Sequence, residues 1–229
     1  MFRDNFIMNS NILSASEKFN VKKIIFISSS AVYPQKKGEI YEKDLINTMP
    51  HNAEFYYGIS KKIMLEQLIH LKKKTGIKFK YLIMNNMYGE NDNFNIKFGH
   101  VIPSLINKFY LAKKNNTNVK IWGSKNDKRC FMYSEDAAEA IRKVSNSKYE
   151  IANISSNREV KIIELVKILS NIFNYKKISW VQTKYKPVSR RKLNIKILKE
   201  CGFKKEKSLE DGLKKTVEWF LYNQNIVRF

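Results

Sequence analysis

The chain has 229 residues, of which 43% are hydrophobic and 13% aromatic, and its formal net charge is +22. That apolar content is sufficient for a buried core and excludes a disordered chain. The two cysteines, Cys130 and Cys201, have no Cys or His at ligand spacing, which excludes a disulfide framework and a metal site as organising features. No apolar run could span a bilayer, and the first residues lack a secretory signal pattern. The sequence therefore predicts a soluble, cytoplasmic protein.

The positive charge comes mainly from lysine, because only seven of the 43 Lys and Arg residues are Arg. Proteins that recognise bases or phosphates concentrate Arg, whose planar guanidinium matches both. Here the lysines are spread along the whole chain, and the run over 72–74 complements the dipole of a predicted helix end. We expect attraction for anionic ligands such as nucleotide phosphates and no specific nucleic-acid partner. The alternative, nucleic-acid binding, predicts a steep dependence on salt.

Predicted helices and strands alternate along the chain. A helix over 5–19 precedes a strand over 22–29, whose continuous apolar run predicts burial on both faces of a parallel sheet. Pro34 and Pro50 lie in a predicted loop over 31–52, and Gly76 ends a helix predicted over 55–74. The remaining predictions are strands over 78–85, 119–122 and 149–154, and helices over 102–114, 134–146, 161–173 and 208–223. This alternation predicts an α/β fold with a mostly parallel sheet.

Three residues form the sharpest candidate for chemistry. Ser29 ends the first predicted strand, and Tyr57 and Lys61 are one helical turn apart, so the phenol and the ammonium share a helix face. A nearby ammonium favours phenolate, which predicts a lowered Tyr57 pKa and proton exchange with a carbonyl or an alcohol. The Tyr-x-x-x-Lys spacing also occurs at 33–37 and 110–114, but only the pair at 57–61 follows a strand that ends in serine.

Several segments, in this order, resemble those of the extended short-chain dehydrogenase/reductases, the NAD-dependent epimerase/dehydratase family. They are ISSSAVYP at 27–34, YGISK at 57–61, MNNMYGENDNF at 84–94, HVIP at 100–103, IWGSKNDKRCF at 121–131 and SLEDGLKKTVEW at 208–219. Within the family the resemblance is to the GDP-L-fucose synthase group, which epimerises and then reduces GDP-4-keto-6-deoxymannose with NADPH. It implies a truncated Rossmann-like domain over 1–103 and a sugar-nucleotide lobe over 104–229, with 131–155 returning to the first domain.

The resemblance also implies a role for individual residues. Tyr57 would protonate the C4 oxygen as hydride arrives, and Lys61 would also bind the nicotinamide ribose. By position, the catalytic residues would be Ser29, Tyr57, Lys61 and His100, the NADP(H)-binding residues Tyr57, Lys61 and Met84, and the substrate-binding residues Asn86, Trp122, Arg129 and Lys192. The partners implied are a GDP-sugar and a second copy of the chain, joined through the helices predicted over 5–19 and 55–74.

Three departures from the family pattern qualify these expectations. Ala31 occupies the position of a cysteine that moves protons during epimerisation, and Met84 replaces a proline. No two of the eight glycines stand three apart, so this sequence encodes no Gly-rich turn for a pyrophosphate. About the first four strands of the family fold are missing, which predicts an unpaired edge on the strand over 22–29.

These departures leave alternatives open. The chain would be the carboxyl-terminal part of a reductase that needs an amino-terminal fragment, or a non-catalytic remnant that still binds a sugar nucleotide. A further alternative, favoured by Ala31, is a 4-keto reductase or 4-epimerase of another nucleotide sugar.

Overall fold

The computed structural model describes residues 2–182, 191–204 and 206–229. Its helices are α1 (Phe2–Lys18), α2 (Phe55–Thr75), α3 (Val101–Lys114), α4 (Ser134–Ser145), α5 (Ile162–Phe173), α6 (Lys196–Glu200) and α7 (Leu209–Tyr222). Its strands are β1 (Lys23–Ser29), β2 (Glu39–Ile40), β3 (Lys78–Met84), β4 (Asn86–Tyr88), β5 (Val119–Trp122), β6 (Lys128–Tyr133), β7 (Ile151–Ile154), β8 (Glu159–Lys161), β9 (Ile178–Val181) and β10 (Lys192–Leu193). Within this part of the chain, no helix combines the length and the apolarity needed to cross a bilayer.

The described residues form two compact units. Unit 1 comprises residues 2–85, 138–157 and 191–204, and unit 2 comprises 86–137, 158–182 and 206–229. Residues 86–103 therefore group with unit 2 and 191–204 with unit 1. The division into domains at residue 103 stays a prediction.

Unit 1 contains a parallel sheet in the order β1-β3-β7. Ser29 at the end of β1 lies opposite Met84 at the end of β3, so both residues reach the carboxyl edge of the sheet. Ile24 on β1 joins the core formed with Leu65 and Leu68 of α2. The α/β class and the parallel strands are confirmed.

The predicted burial of β1 on both faces is wrong. Ile25 and Ile27 keep 41% and 43% of their surface exposed, because they point to the face opposite Ile24 and no described element covers them. β1 also pairs with β3 alone among the described strands, so its other edge is unpaired. The prediction of an unpaired edge therefore agrees with the structure of β1, whereas the prediction of burial on both faces does not. An apolar run shows which residues tolerate burial, but it does not show which neighbouring elements are present to bury them.

Helix α2 agrees closely with the helix predicted from the sequence. Gly76 ends it in the left-handed region, with φ of 79°, and its N–H donates to the carbonyl of Lys72. Near the other end, Gly58 lies so close to the turn after β1 that an added Cβ would strike the Ala31 carbonyl oxygen and approach Pro50 Cβ to 2.7 Å. The absence of a side chain at position 58 therefore sets the distance between the start of α2 and the end of β1.

Unit 2 contains two small sheets and an aromatic core. One sheet has the order β4-β6-β8, with β4 and β6 parallel and β8 antiparallel to β6, and the other pairs β5 with β9 in parallel. The Phe94 and Phe220 rings lie 4.7 Å apart, and those of Phe109 and Phe173 lie 5.6 Å apart. Helix α7 begins after Ser208, whose hydroxyl accepts from the N–H of Asp211.

Candidate active site

The end of β1 brings a serine to the first turn of α2. Ser29 lies beside a short helical turn, where its Oγ accepts a hydrogen bond from the Ala31 N–H at 3.2 Å. The Ser29 side chain also makes a hydrogen bond with the Tyr57 side chain. A hydroxyl and a phenol therefore meet at the carboxyl end of a parallel strand, which is where parallel sheets bind their ligands.

Lys61 lies one turn further along α2. Its Nζ is 5.8 Å from the centroid of the Tyr57 ring and 5.0 Å from that of Phe26. Burial lowers the pKa of Lys61, because a desolvated ammonium is less stable than one in water. Ser29, Tyr57 and Lys61 are thus brought together within unit 1, as the spacing in the sequence indicates.

The pKa of Tyr57 shifts opposite to the expectation. Burial raises it, the hydrogen bond with Ser29 lowers it in part, and the Glu54 carboxylate raises it again. Burial of the phenol outweighs the lowering expected from Lys61, whose own charge is disfavoured by burial. Tyr57 therefore holds its proton at neutral pH, which suits a proton donor better than a proton acceptor.

A second serine anchors the backbone of α2. Ser28 is buried, and its Oγ donates to the Tyr81 hydroxyl at 2.7 Å. That hydroxyl donates in turn to the carbonyl oxygen of Lys61 at 2.9 Å. Neighbouring strand residues point to opposite faces, so Ser28 holds the helix backbone while Ser29 contacts the Tyr57 side chain.

Met84 and Lys192 are the other predicted site residues in unit 1. Met84 lies opposite Ser29 in the pairing of β1 with β3, whereas Lys192 lies in the separate pairing of β10 with β2. Lys192 lies in β10, next to β2, and its Nζ forms an ion pair with Glu39 Oε1 at 2.9 Å. Its predicted contact with a substrate stays a prediction.

Unit 2 contains a cavity of about 650 Å³ that both Trp122 and Arg129 line. Trp122 keeps 53% of its surface exposed, so part of its indole is open to a ligand. Arg129 approaches the carboxylate of Asp127 to 4.0 Å. The structure thus brings two of the predicted substrate-binding residues to one cavity.

Lys108 is a cavity residue that the sequence analysis missed. Its Nζ lies 3.5 Å from the centroid of the Trp122 indole, close enough for a cation–π contact. Burial lowers the pKa of Lys108 to about 8. The sequence around Lys108 does not distinguish it from the other lysines of the chain. The residue that it contacts, Trp122, belongs to β5, a different element from α3.

His100 and Asn86 are not among the described residues that line this cavity. His100 is exposed and immediately precedes α3, and Asn86 begins β4, where its Nδ2 donates to the carbonyl oxygen of Cys130 at 3.0 Å. Asp92, whose pKa burial raises, is near enough to His100 for the imidazole to lower that pKa in part. His100 therefore has a carboxylate neighbour.

Comparison with known proteins identifies the family. Residues 1–155 match the NAD dependent epimerase/dehydratase family. A GDP-L-fucose synthase from Sinorhizobium fredii is 32% identical over 96% of this chain and 71% of its own length. A GDP-L-colitose synthase from Yersinia pseudotuberculosis is 30% identical over 97% of this chain and 74% of its own length. A crystal structure of a GDP-L-fucose synthetase from Naegleria fowleri bound to NADP superimposes with a TM-score of 0.92, at 29% identity, over 99% of this chain and 71% of that one. The chain therefore belongs to the NAD dependent epimerase/dehydratase family.

Proposed function

We propose that the chain is an NADP(H)-dependent nucleotide-sugar epimerase/reductase of the GDP-L-fucose synthase type, acting on GDP-4-keto-6-deoxymannose. The observation that carries this proposal is the meeting of Ser29, Tyr57 and Lys61 at the carboxyl end of β1. The relatives named GDP-L-fucose synthase and the NADP-bound structure support the same cofactor and substrate class.

The proposed chemistry of unit 1 is proton donation during a reduction. NADPH, when bound, supplies the hydride. Tyr57 donates its proton to the C4 oxygen of the sugar. The hydrogen bond from Ser29 then stabilises the phenolate that remains on Tyr57. Lys61 supplies a positive charge beside the same ring and would hold the nicotinamide ribose.

The nicotinamide end and the pyrophosphate end of the cofactor differ in how well this chain fits them. Tyr57 and Lys61 are suited to the nicotinamide end, and Met84, beside Ser29, lies at the same edge of the sheet. For the second, none of the described glycines with positive φ (Gly38, Gly76, Gly123, Gly202) joins the end of a strand to the start of a long helix. We therefore propose that an amino-terminal polypeptide with the Gly-rich turn pairs with the free edge of β1 and covers Ile25 and Ile27.

The cavity of unit 2 would take the GDP moiety. The exposed indole of Trp122 offers a stacking surface to a base, and the guanidinium of Arg129 can bind diphosphate oxygens bidentately. Lys108 adds a second cation at the same cavity. Asn86, also in unit 2, would add a contact to the sugar nucleotide, and Lys192 in unit 1 keeps its predicted role in substrate binding.

The homodimer and the cytoplasmic location also belong to the proposal. The exposed side of α1 carries apolar residues, among them Phe6, Ile7 and Ile12, and α1 is in contact with α2. An exposed apolar helix face of this kind favours association with a second copy.

A second candidate is the reduction or 4-epimerisation of another nucleotide sugar. Epimerisation at C3 and C5 would need an acid and a base, and His100 can serve as one of them. Ala31 stands where the family has cysteine and cannot exchange protons, so epimerisation would be slow. The relative named GDP-L-colitose synthase also favours a different GDP-sugar.

The test supplies the purified chain with NADPH and GDP-4-keto-6-deoxymannose, and follows NADPH absorbance and the sugar product by NMR. The assay is run alone and with an added polypeptide that contains the family's strand, Gly-rich turn and helix. We expect GDP-L-fucose, no turnover by Tyr57→Phe, and activity that rises when the polypeptide is added. Bound GDP-sugar without turnover in either condition would contradict the proposed activity and favour the non-catalytic alternative. A product with unchanged C3 and C5 configuration would favour the second candidate.

A further inference from the structure

A buried arginine lies near the start of α2. The Arg191 side chain is only 9% exposed, and its Nη1 forms an ion pair with Glu54 Oε2 at 2.6 Å. Within the described part of the chain, Arg191 Nη2 has no hydrogen-bond partner. A buried guanidinium is costly unless its charge is compensated, and Glu54 is the carboxylate that compensates it.

Glu54 links this arginine to the candidate active site. It is the residue immediately before α2, three positions before Tyr57. Tyr57 is in the first turn of α2, so the carboxylate of the capping residue is close enough in the chain for its charge to act on the phenol. The Glu54 carboxylate raises the pKa of Tyr57 even while it is paired with Arg191, and an unpaired negative charge at position 54 would oppose negative charge on the Tyr57 oxygen more strongly.

The other polar groups at the phenol come from three elements. Ser29 of β1 makes a hydrogen bond with Tyr57, Lys61 lies on the same helix, and Tyr81 of β3 is close enough for its own pKa to respond to Tyr57. Among these groups and Glu54, the carboxylate is the one that is negative at neutral pH.

We propose that Arg191 is a positioning residue for Tyr57: its ion pair with Glu54 weakens the opposition of that carboxylate to the negative charge that develops on the phenol oxygen during proton transfer. The role of Tyr57 as proton donor rests on the proposed function, whereas the electrostatic effect on the phenol is independent of turnover. Arg191 acts through Glu54 rather than by contact with the reacting atoms.

The test measures the rate at which a phenolate-selective nitrating reagent modifies Tyr57 at a fixed, mildly alkaline pH. Peptide mass spectrometry separates this rate from that of the neighbouring Tyr56, which is exposed and serves as the internal control. In Arg191→Met we expect the ratio of the Tyr57 rate to the Tyr56 rate to fall about threefold, as expected for two charges several ångströms apart near a surface. Arg191→Lys, which keeps the charge, should retain most of the wild-type ratio.

The double variant Glu54→Gln/Arg191→Met should return the ratio to near the wild-type value, since both charges are gone. Glu54→Gln alone leaves an unpaired cation and should raise the ratio, so this variant decides the matter if Arg191→Met does not fold. An unchanged ratio in Arg191→Met or in Glu54→Gln, or an equal fall in Arg191→Lys, overturns the proposal. If Tyr57 were inert to the reagent in the wild-type chain, the proposed function would fail instead, because it requires a phenol that a substrate can reach.

Discussion

The side chain of Ser29, at the end of β1, makes a hydrogen bond with the phenol of Tyr57 in the first turn of α2. This bond partly offsets the rise in the Tyr57 pKa that burial causes. Ser29→Ala should therefore raise that pKa further and remove a donor that stabilises phenolate. We expect hydride transfer at neutral pH to fall about tenfold, the usual effect of losing a hydrogen bond to a developing charge.

The pH profile of Ser29→Ala provides a second readout. Reduction needs protonated Tyr57, so the rate falls as pH rises through its pKa, and this alkaline limb should move to higher pH in the variant. Ser28→Ala is the matched control, because Ser28 bonds to Tyr81 and not to Tyr57. An alkaline limb that moved equally in both variants would contradict the assignment of Ser29.

Lys108 is expected to make the proposed binding of GDP depend on pH. With its pKa lowered to about 8, the side chain is an ammonium at pH 7 and mostly neutral above pH 9. The affinity for GDP should therefore fall about threefold to tenfold as pH rises through 8, within the range of one charge-assisted contact. Calorimetric titration checks this. Lys108→Arg should flatten the profile, because a guanidinium keeps its charge, and Lys114→Arg at the end of α3 should leave it unchanged.

Gly58 is expected to resist even the smallest substitution. Gly→Ala in a helix normally stabilises by about 1 kcal/mol. At this position the new Cβ would strike the Ala31 carbonyl oxygen and crowd Pro50, so Gly58→Ala should lower the free energy of unfolding by about 1–3 kcal/mol. Denaturant unfolding followed by circular dichroism measures the change. Tyr56→Ala, in the same turn but exposed, should cost much less.

Ala31 is the position at which epimerisation can be accelerated. It is buried, with 2% of its surface exposed, in the turn that follows Ser29. Ala31→Cys adds a thiol where the family has its proton-transfer cysteine. We expect deuterium from solvent to enter C3 and C5 of the sugar at least tenfold faster than with the present chain, as measured by NMR. Ala31→Ser, similar in size but a much weaker acid, should not do so. Equal exchange in all three proteins would show that His100 suffices.

The sequence predicts the long elements of this fold well, because their signals are local. Helix α2 carries its own apolar periodicity and a glycine stop, and it begins and ends within a residue of the prediction. β6 was missed although it is central to its sheet, because its run KRCFMY mixes charge with apolar residues and its neighbours β4 and β8 are distant in sequence. Short strands of this kind are fixed by their partners rather than by their own composition.

Part of the candidate active site was also predictable, because its signals are local in the sequence. The spacing of Tyr57 and Lys61 places them together on one helix, and the strand before them delivers Ser29. The sign of the Tyr57 pKa shift was not predictable, because it depends on burial by residues from other elements. The pairing of Glu54 with Arg191 joins positions 137 residues apart, so no local pattern announces it.

The correct alignment of β1 is guarded by its apolar residues rather than by the serines that end it. If β1 slid by one position against β3 during folding, Ser28 or Ser30 would take the place of Ser29 beside the phenol. Ile24, however, would turn from the core to the opposite, exposed face, while the overall helix and strand content stayed the same. Far-ultraviolet spectra would rate such a preparation as intact. Batches of this protein should therefore be ranked by their free energy of unfolding rather than by their content of regular structure.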